Sequence, residues 1–122
     1  MEMSWNAESR VATVRFGSEA TLTGAEATTM VSSLAGWIGK DAEPFGLVAD
    51  VRGVGATNAE YRSITRVFFA QHRETALVAA FNASAAIRIV AELFRVATGI
   101  QLKAFTSEVE ARRWLCTRGI AA

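Results

Sequence analysis

The chain has 122 residues, 51% of them hydrophobic and 20% charged; this fits one folded domain with its own core and excludes a disordered chain. Its net charge is +1, which argues against the concentrated basic surface that nucleic-acid binding needs. The single cysteine, Cys116, excludes an intrachain disulfide, the MEMSWNAESR start has no apolar signal core, and no apolar run reaches the ~18–20 residues of a membrane span, so the expected location is cytoplasmic.

Residues 10–16, RVATVRF, alternate: Val11, Thr13 and Arg15 point one way, Ala12, Val14 and Phe16 the other. That is a strand with one core face, and MSWNA before it can form a hairpin across Glu8 and Ser9, with Trp5 as a packing residue. Residues 17–22 read as a connection. Thr23 followed by Glu26 is a capping box. The helix after it carries Ala27, Met30, Val31, Leu34, Trp37 and Ile38 on one stripe, and Gly39 and Pro44 end it. FGLVADV (45–51) is a short apolar run, hence a buried strand, and RGVGA (52–56) is a loop. Thr57 with Glu60 repeats the capping box and opens a second helix running to about residue 74. TALVAAF (75–81) is another buried strand. Asn82 and Ser84 both suit the start of a third helix over 85–98, stopped by Gly99. IQLKAF (100–105) is the last strand. Ser107 with Glu110 is a third capping box, and Ala111, Trp114 and Leu115 form the core stripe of the last helix. The order β-β-α-β-α-β-α-β-α implies a single α/β domain over 1–122, its sheet parallel in the later part.

Catalytic side chains are few. His72 is the only histidine, so no His-rich metal site can form, and its place inside the second helix reads as structural. Cys116 lies off the last helix's core stripe, with no helix N-terminus to lower its pKa. Asp50 ends a buried strand, where open α/β sheets often bind ligands; accepting hydrogen bonds from the following loop, or pairing with Arg52, is the simpler account of it. Gly53 and Gly55 begin a G-x-G, but Asn58 stands where a dinucleotide fingerprint needs its third glycine, and no P-loop lysine follows. No metal, cofactor or catalytic residue is expected, and an enzyme is not the expected function.

The VADVRGV strand with its capped helix, the ALVAAF strand, the helix ending at Gly99 and the closing F-T-x-x-x-x-A-x-x-W-L over 105–115 resemble the SpoIIAA-like branch of the STAS fold (sulfate transporter and anti-sigma-factor antagonist). The resemblance covers nearly the whole chain. It implies a four-helix domain with a mixed sheet and helices mainly on one side. It also implies a bacterial regulatory or protein-interaction module. Antagonists of this fold are switched by phosphorylation within D-S-S/T-G at the start of the helix after the third strand. Here the stretch reads A-T-N-A, so Thr57 is the candidate phosphoacceptor in a chain expected to lack the usual switch. The same branch resembles SEC14-type lipid carriers, which implies an apolar pocket or membrane-surface contact.

At ~100° per residue, Tyr61, Ile64, Val67, Phe68 and Gln71 share the second-helix face expected to meet the sheet. Arg62, Arg66 and Arg73 lie opposite, with Phe69 among them. In the third helix Ile87, Val90, Ala91 and Phe94 form a core stripe, Ile89, Leu93 and Val96 form a second one, and only Arg88, Glu92 and Arg95 make a polar face. This apolar excess exceeds one sheet contact. It fits helix–helix packing, with Phe69 against a neighbouring helix. It also fits an arginine-rimmed groove for a partner protein, a second copy or an anionic amphiphile. A lipid-like ligand would be lined by Phe68, Phe69, Ile89, Leu93 and Phe94.

Overall fold

The computed structural model describes residues 1–17 and 20–120. In chain order the elements are β1 (Glu2–Asn6), β2 (Val11–Arg15), β3 (Thr21–Leu22), α1 (Gly24–Ile38), β4 (Phe45–Asp50), β5 (Ala56–Thr57), α2 (Ala59–Gln71), β6 (Ala76–Phe81), α3 (Ala85–Thr98), β7 (Gln101–Phe105) and α4 (Glu108–Thr117). Five strands form a mixed sheet in the order β1-β2-β4-β6-β7. The β1–β2 hairpin is antiparallel and places Trp5 opposite Ala12; every later pairing in this sheet is parallel.

β4 and β6 hold the centre and are buried on both faces. On one face Leu47, Ala49, Val78 and Ala80 meet Met30 and Leu34 of α1, Phe68 and Phe69 of α2 and Ile87 of α3. On the other, Val48, Leu77, Ala79 and Phe81 meet Ala111 and Leu115 of α4. Three helices thus cover one side and α4 the other, as expected of a STAS-like sheet. Gly46 is needed for α4 to seat: a Cβ there would lie 3.2 Å from Leu115 Cδ1, tighter than ordinary packing. Trp5 is half-buried and stacks on Trp37, centroids 5.9 Å apart. Trp114 is half-buried, leaving Ala111 and Leu115 as the core of α4 while its ring lies against Phe105.

Two short strands were not expected. Thr21–Leu22 pairs in parallel with Ala56–Thr57, so parts of both predicted connections are extended; residues 18 and 19 of the first lie outside the described residues. A two-residue ladder has too few positions to leave a period in the sequence. The second helix also ends three residues early, at Gln71, with His72 as its C-cap.

The three capping boxes differ. Ser107 Oγ accepts from Glu110 N at 3.3 Å, as the motif requires. Thr23 instead donates its hydroxyl to Glu26 at 2.7 Å, and this bond holds the Glu26 carboxyl below its usual range. At the second, Thr57 with Glu60, the cap is Asn58 and not Thr57: Asn58 Oδ1 accepts from Tyr61 N at 2.8 Å. Ser84 caps α3. Asn82 lies before it in the left-handed region, φ 61°, and turns its amide to Asp50. Asn58→Ala should therefore lower unfolding stability by about 1 kcal/mol, while Thr57→Val has a smaller effect; chemical denaturation of the two variants measures both.

Candidate functional site

The β5–α2 junction is half-buried at Thr57 and Asn58. Pairing with Leu22 fixes Thr57 in extended backbone. Arg62, one turn into α2, folds back so that its Nη1 donates to the Thr57 carbonyl and to Thr57 Oγ1, the latter at 3.1 Å. The hydroxyl of the phosphoacceptor candidate is thus held by a guanidinium and does not cap the helix.

α2 is rotated from the expected face. Thr65, Phe68 and Phe69 are its buried residues, while Val67 is 55% exposed and Gln71 is exposed. Phe69, placed among the arginines by the sequence pattern, is 2% exposed. Its ring meets Phe68 at 5.0 Å and Phe94 of α3 at 5.7 Å, both edge-on. The cause is tertiary: α2 packs on the sheet and on α3 together, and burying a phenyl ring outweighs burying Val67. Phe68 and Phe69 are therefore core residues, not surface anchors. The helix–helix packing account holds for Phe69. Tyr61 stays on the inner side, its phenol pushed up by burial and then by the Glu26 charge.

The arginines consequently lie beside the core face of α2 and border α3. A groove of about 400 Å³ runs between the two helices, lined by Ala59, Arg62, Ser63 and Arg66 from α2 and by Val90, Leu93, Phe94 and Ala97 from α3. Arg73 stands near the far end, by Gly99. Among the described residues no carboxylate pairs with Arg62, Arg66, Arg73 or Arg88. Ile89, Leu93 and Val96 are exposed on α3, so the second apolar stripe of this helix is a surface feature.

Beneath the groove lies a cavity of about 110 Å³, walled by residues such as Leu22, Met30, Ala80, Ile87 and Phe94, with Thr57 and Arg62 also contributing. Of the five residues expected to line a ligand pocket, Phe69 and Phe94 do so. Phe68 packs elsewhere in the core, while Leu93 lines the groove and Ile89 faces solvent.

The strand ends carry a second polar cluster. Asp50 accepts from Arg52 N at 3.1 Å and Asn82 Nδ2 at 3.2 Å, and pairs with Arg15 at 3.2 Å. Arg15 reaches Glu108, which also binds Arg112, itself donating to Thr13. Burial raises the Asp50 carboxyl, but the hydrogen bonds from Arg52 and Asn82 and the charges of Arg52 and Arg15 hold it below the usual range. Arg112 first, and Arg15 with it, hold Glu108 low against the opposing effect of burial. The chain ties β2, β4 and α4 together, and Asp50 tethers the loop as the simpler sequence reading expected. Among the described residues no group of three or more His, Cys, Asp or Glu side chains could hold a metal ion, and no helix is long and apolar enough to cross a membrane. His72 sits between Phe45 and Phe68, centroids 5.9 and 4.5 Å away, and Cys116 is exposed on α4.

No family model and no curated protein sequence matches the chain. Among solved structures it is similar to an anti-sigma-factor antagonist (STAS) domain protein from Planctomyces limnophilus, with TM-score 0.62 and 14% identity, covering 89% of this chain and 92% of that one. The fold is therefore STAS-like, as the sequence resemblance implied.

Two outcomes follow from these placements. Phe69→Ala should cost about 3–5 kcal/mol in denaturant unfolding, whereas Leu93→Ser should stay within about 0.5 kcal/mol of wild type. Burial holds the His72 imidazole below its ordinary value. Below about pH 6.5 the unfolded chain therefore takes up this proton more readily than the folded one, and stability falls as pH falls. Between about pH 7 and 5.5, urea midpoints should fall less steeply for His72→Phe than for wild type.

Proposed function

We propose that the chain is a non-enzymatic regulatory module that docks a partner protein in the groove between α2 and α3. The groove itself carries this reading: an apolar floor of Val90, Leu93 and Phe94 rimmed by Arg62 and Arg66. Apolar anchors beside arginines that pair with no carboxylate among the described residues are the composition of a protein-binding patch, since arginine forms directed pairs with a partner's carboxylates. A protein described as an anti-sigma-factor antagonist has this fold, which supports regulation by partner binding. In this reading Thr57 is a structural residue clamped by Arg62, and the usual phospho-switch is absent.

A second reading, the carrier or sensor of a small apolar ligand, draws on the cavity. Its volume of about 110 Å³ is well below the ~300–1,000 Å³ of pockets that enclose drug-sized ligands. It resembles the ~150 Å³ engineered cavities that admit benzene. A lipid chain does not fit it without movement of α3, so size favours the groove.

The test is affinity capture with the full chain, read by quantitative mass spectrometry. Ser63→Trp, which fills the groove, and Arg66→Glu, which inverts its rim, should each deplete the captured partner at least tenfold while leaving the unfolding midpoint unchanged. Retention of the same partner by both variants refutes the groove. A concentration-dependent dimer that both variants abolish makes the partner a second copy.

A further inference from the structure

We propose that β1 pairs edge to edge with β1 of a second copy of this chain, joining the two sheets across a two-fold axis at Ser4. β1 ends the sheet, and among the described residues its only strand partner is β2. One row of its backbone N–H and C=O groups is therefore open to another strand. The two edges of the sheet are guarded differently. β7 carries Lys103 at its middle, the kind of charge that turns a second strand away. β1 has no charge at Met3, Ser4 or Trp5 and no proline. Its ladder to β2 runs unbroken from Glu2 to Asn6, so no bulge bends it out of reach. This edge shares no residue with the groove between α2 and α3.

The residue pattern of β1 makes a second copy the occupant. Set antiparallel about Ser4, all 5 residues of each strand find an opposite. Ser4 faces the partner's Ser4, Met3 the partner's Trp5, and Glu2 the partner's Asn6; any other axis pairs fewer. Each Glu2 meets an amide, so no like charges are opposed. Met3 and Trp5 both pack toward the three-helix side, and there each Met3 thioether meets a Trp5 ring, a favourable contact made twice. Trp5 is already held for it. Its ring stacks on Trp37 with centroids 5.9 Å apart and planes within 9°, and the Arg10 guanidinium lies 5.7 Å from its centre. A ring so fixed loses little further freedom on pairing. Tryptophan and arginine are also the residues that dominate contacts between proteins. A net charge of +1 leaves little repulsion between copies. The arrangement closes on itself: each copy uses its one unguarded edge, and Lys103 stays at both outer edges, so no fibre follows.

Sedimentation equilibrium of the full chain tests the proposal. The average mass should rise from monomer toward dimer between about 1 and 300 µM, the range that a small edge-to-edge interface gives. Ser4→Lys sets two ammonium groups against each other at the axis and should weaken the dimer at least about tenfold. The unfolding midpoint of the dilute chain should not change. Ser63→Trp and Arg66→Glu, which alter the groove, should leave the dimer intact. Cross-linking in a Cys116→Ser background reads the register. Ser4→Cys should form an intermolecular disulfide with diamide, because opposed Cα atoms of an antiparallel pair lie ~4.5–5.5 Å apart. Glu2→Cys should not, since the two copies of residue 2 stand roughly 14 Å apart. Four results would each overturn the proposal: a monomer throughout this range, a dimer undiminished by Ser4→Lys, a dimer abolished by the groove variants, or cross-linking of Glu2→Cys as fast as Ser4→Cys.

Discussion

The molecule depends on one constraint, the burial of β4 and β6 on both faces. A parallel strand with apolar side chains on each side needs a helical layer above and below. Val48, Ala79 and Leu77 are covered by a single helix, α4, which gets close only because Gly46 has no side chain. The opposite face takes three helices. There the strands present small residues, Ala49 and Ala80, so the helices above span a gap that is not wholly filled. The apolar cavity lies over these alanines. α3 needs only its inner stripe to close this layer, which is why its second stripe remains outside.

The layers, their order and their strand–helix alternation were legible in the sequence because each rests on a repeated local signal. FGLVADV and ALVAAF read as buried strands from composition alone, and the third helix was bounded correctly by Ser84 and Gly99. The capping boxes show where local signals stop. One four-residue pattern occurs three times and has three hydrogen-bonding outcomes. At the second, asparagine outranks threonine as a cap, and Thr57 is already held in the β3–β5 ladder. No pattern within the helix reveals that competition.

The face of α2 was misjudged for a related reason. Angle along one helix ranks Phe69 with the arginines, but Phe94 comes from a different helix and draws Phe69 inward. That rotation turns Phe69, ranked with the arginines, into core beside Phe68, which the inner face already held. It also brings Arg62 and Arg66 beside α3, where they rim a groove with Leu93. The arginine row and the second stripe of α3 were thus visible in the sequence, but their adjacency depended on a contact between helices.

Arg62 occupies a position that links these features. It contributes to the cavity wall and to the groove rim, and its guanidinium holds both the carbonyl and the hydroxyl of Thr57. A carboxylate arriving in the groove competes with those two neutral acceptors, and a charged acceptor binds a guanidinium more strongly than a neutral one. In the proposed function, engagement at the rim would therefore act on the backbone that precedes α2. The cap of α2, Asn58 on Tyr61 N, is independent of the bonds Arg62 makes to Thr57. The junction first singled out for its threonine is thus organised by its arginine.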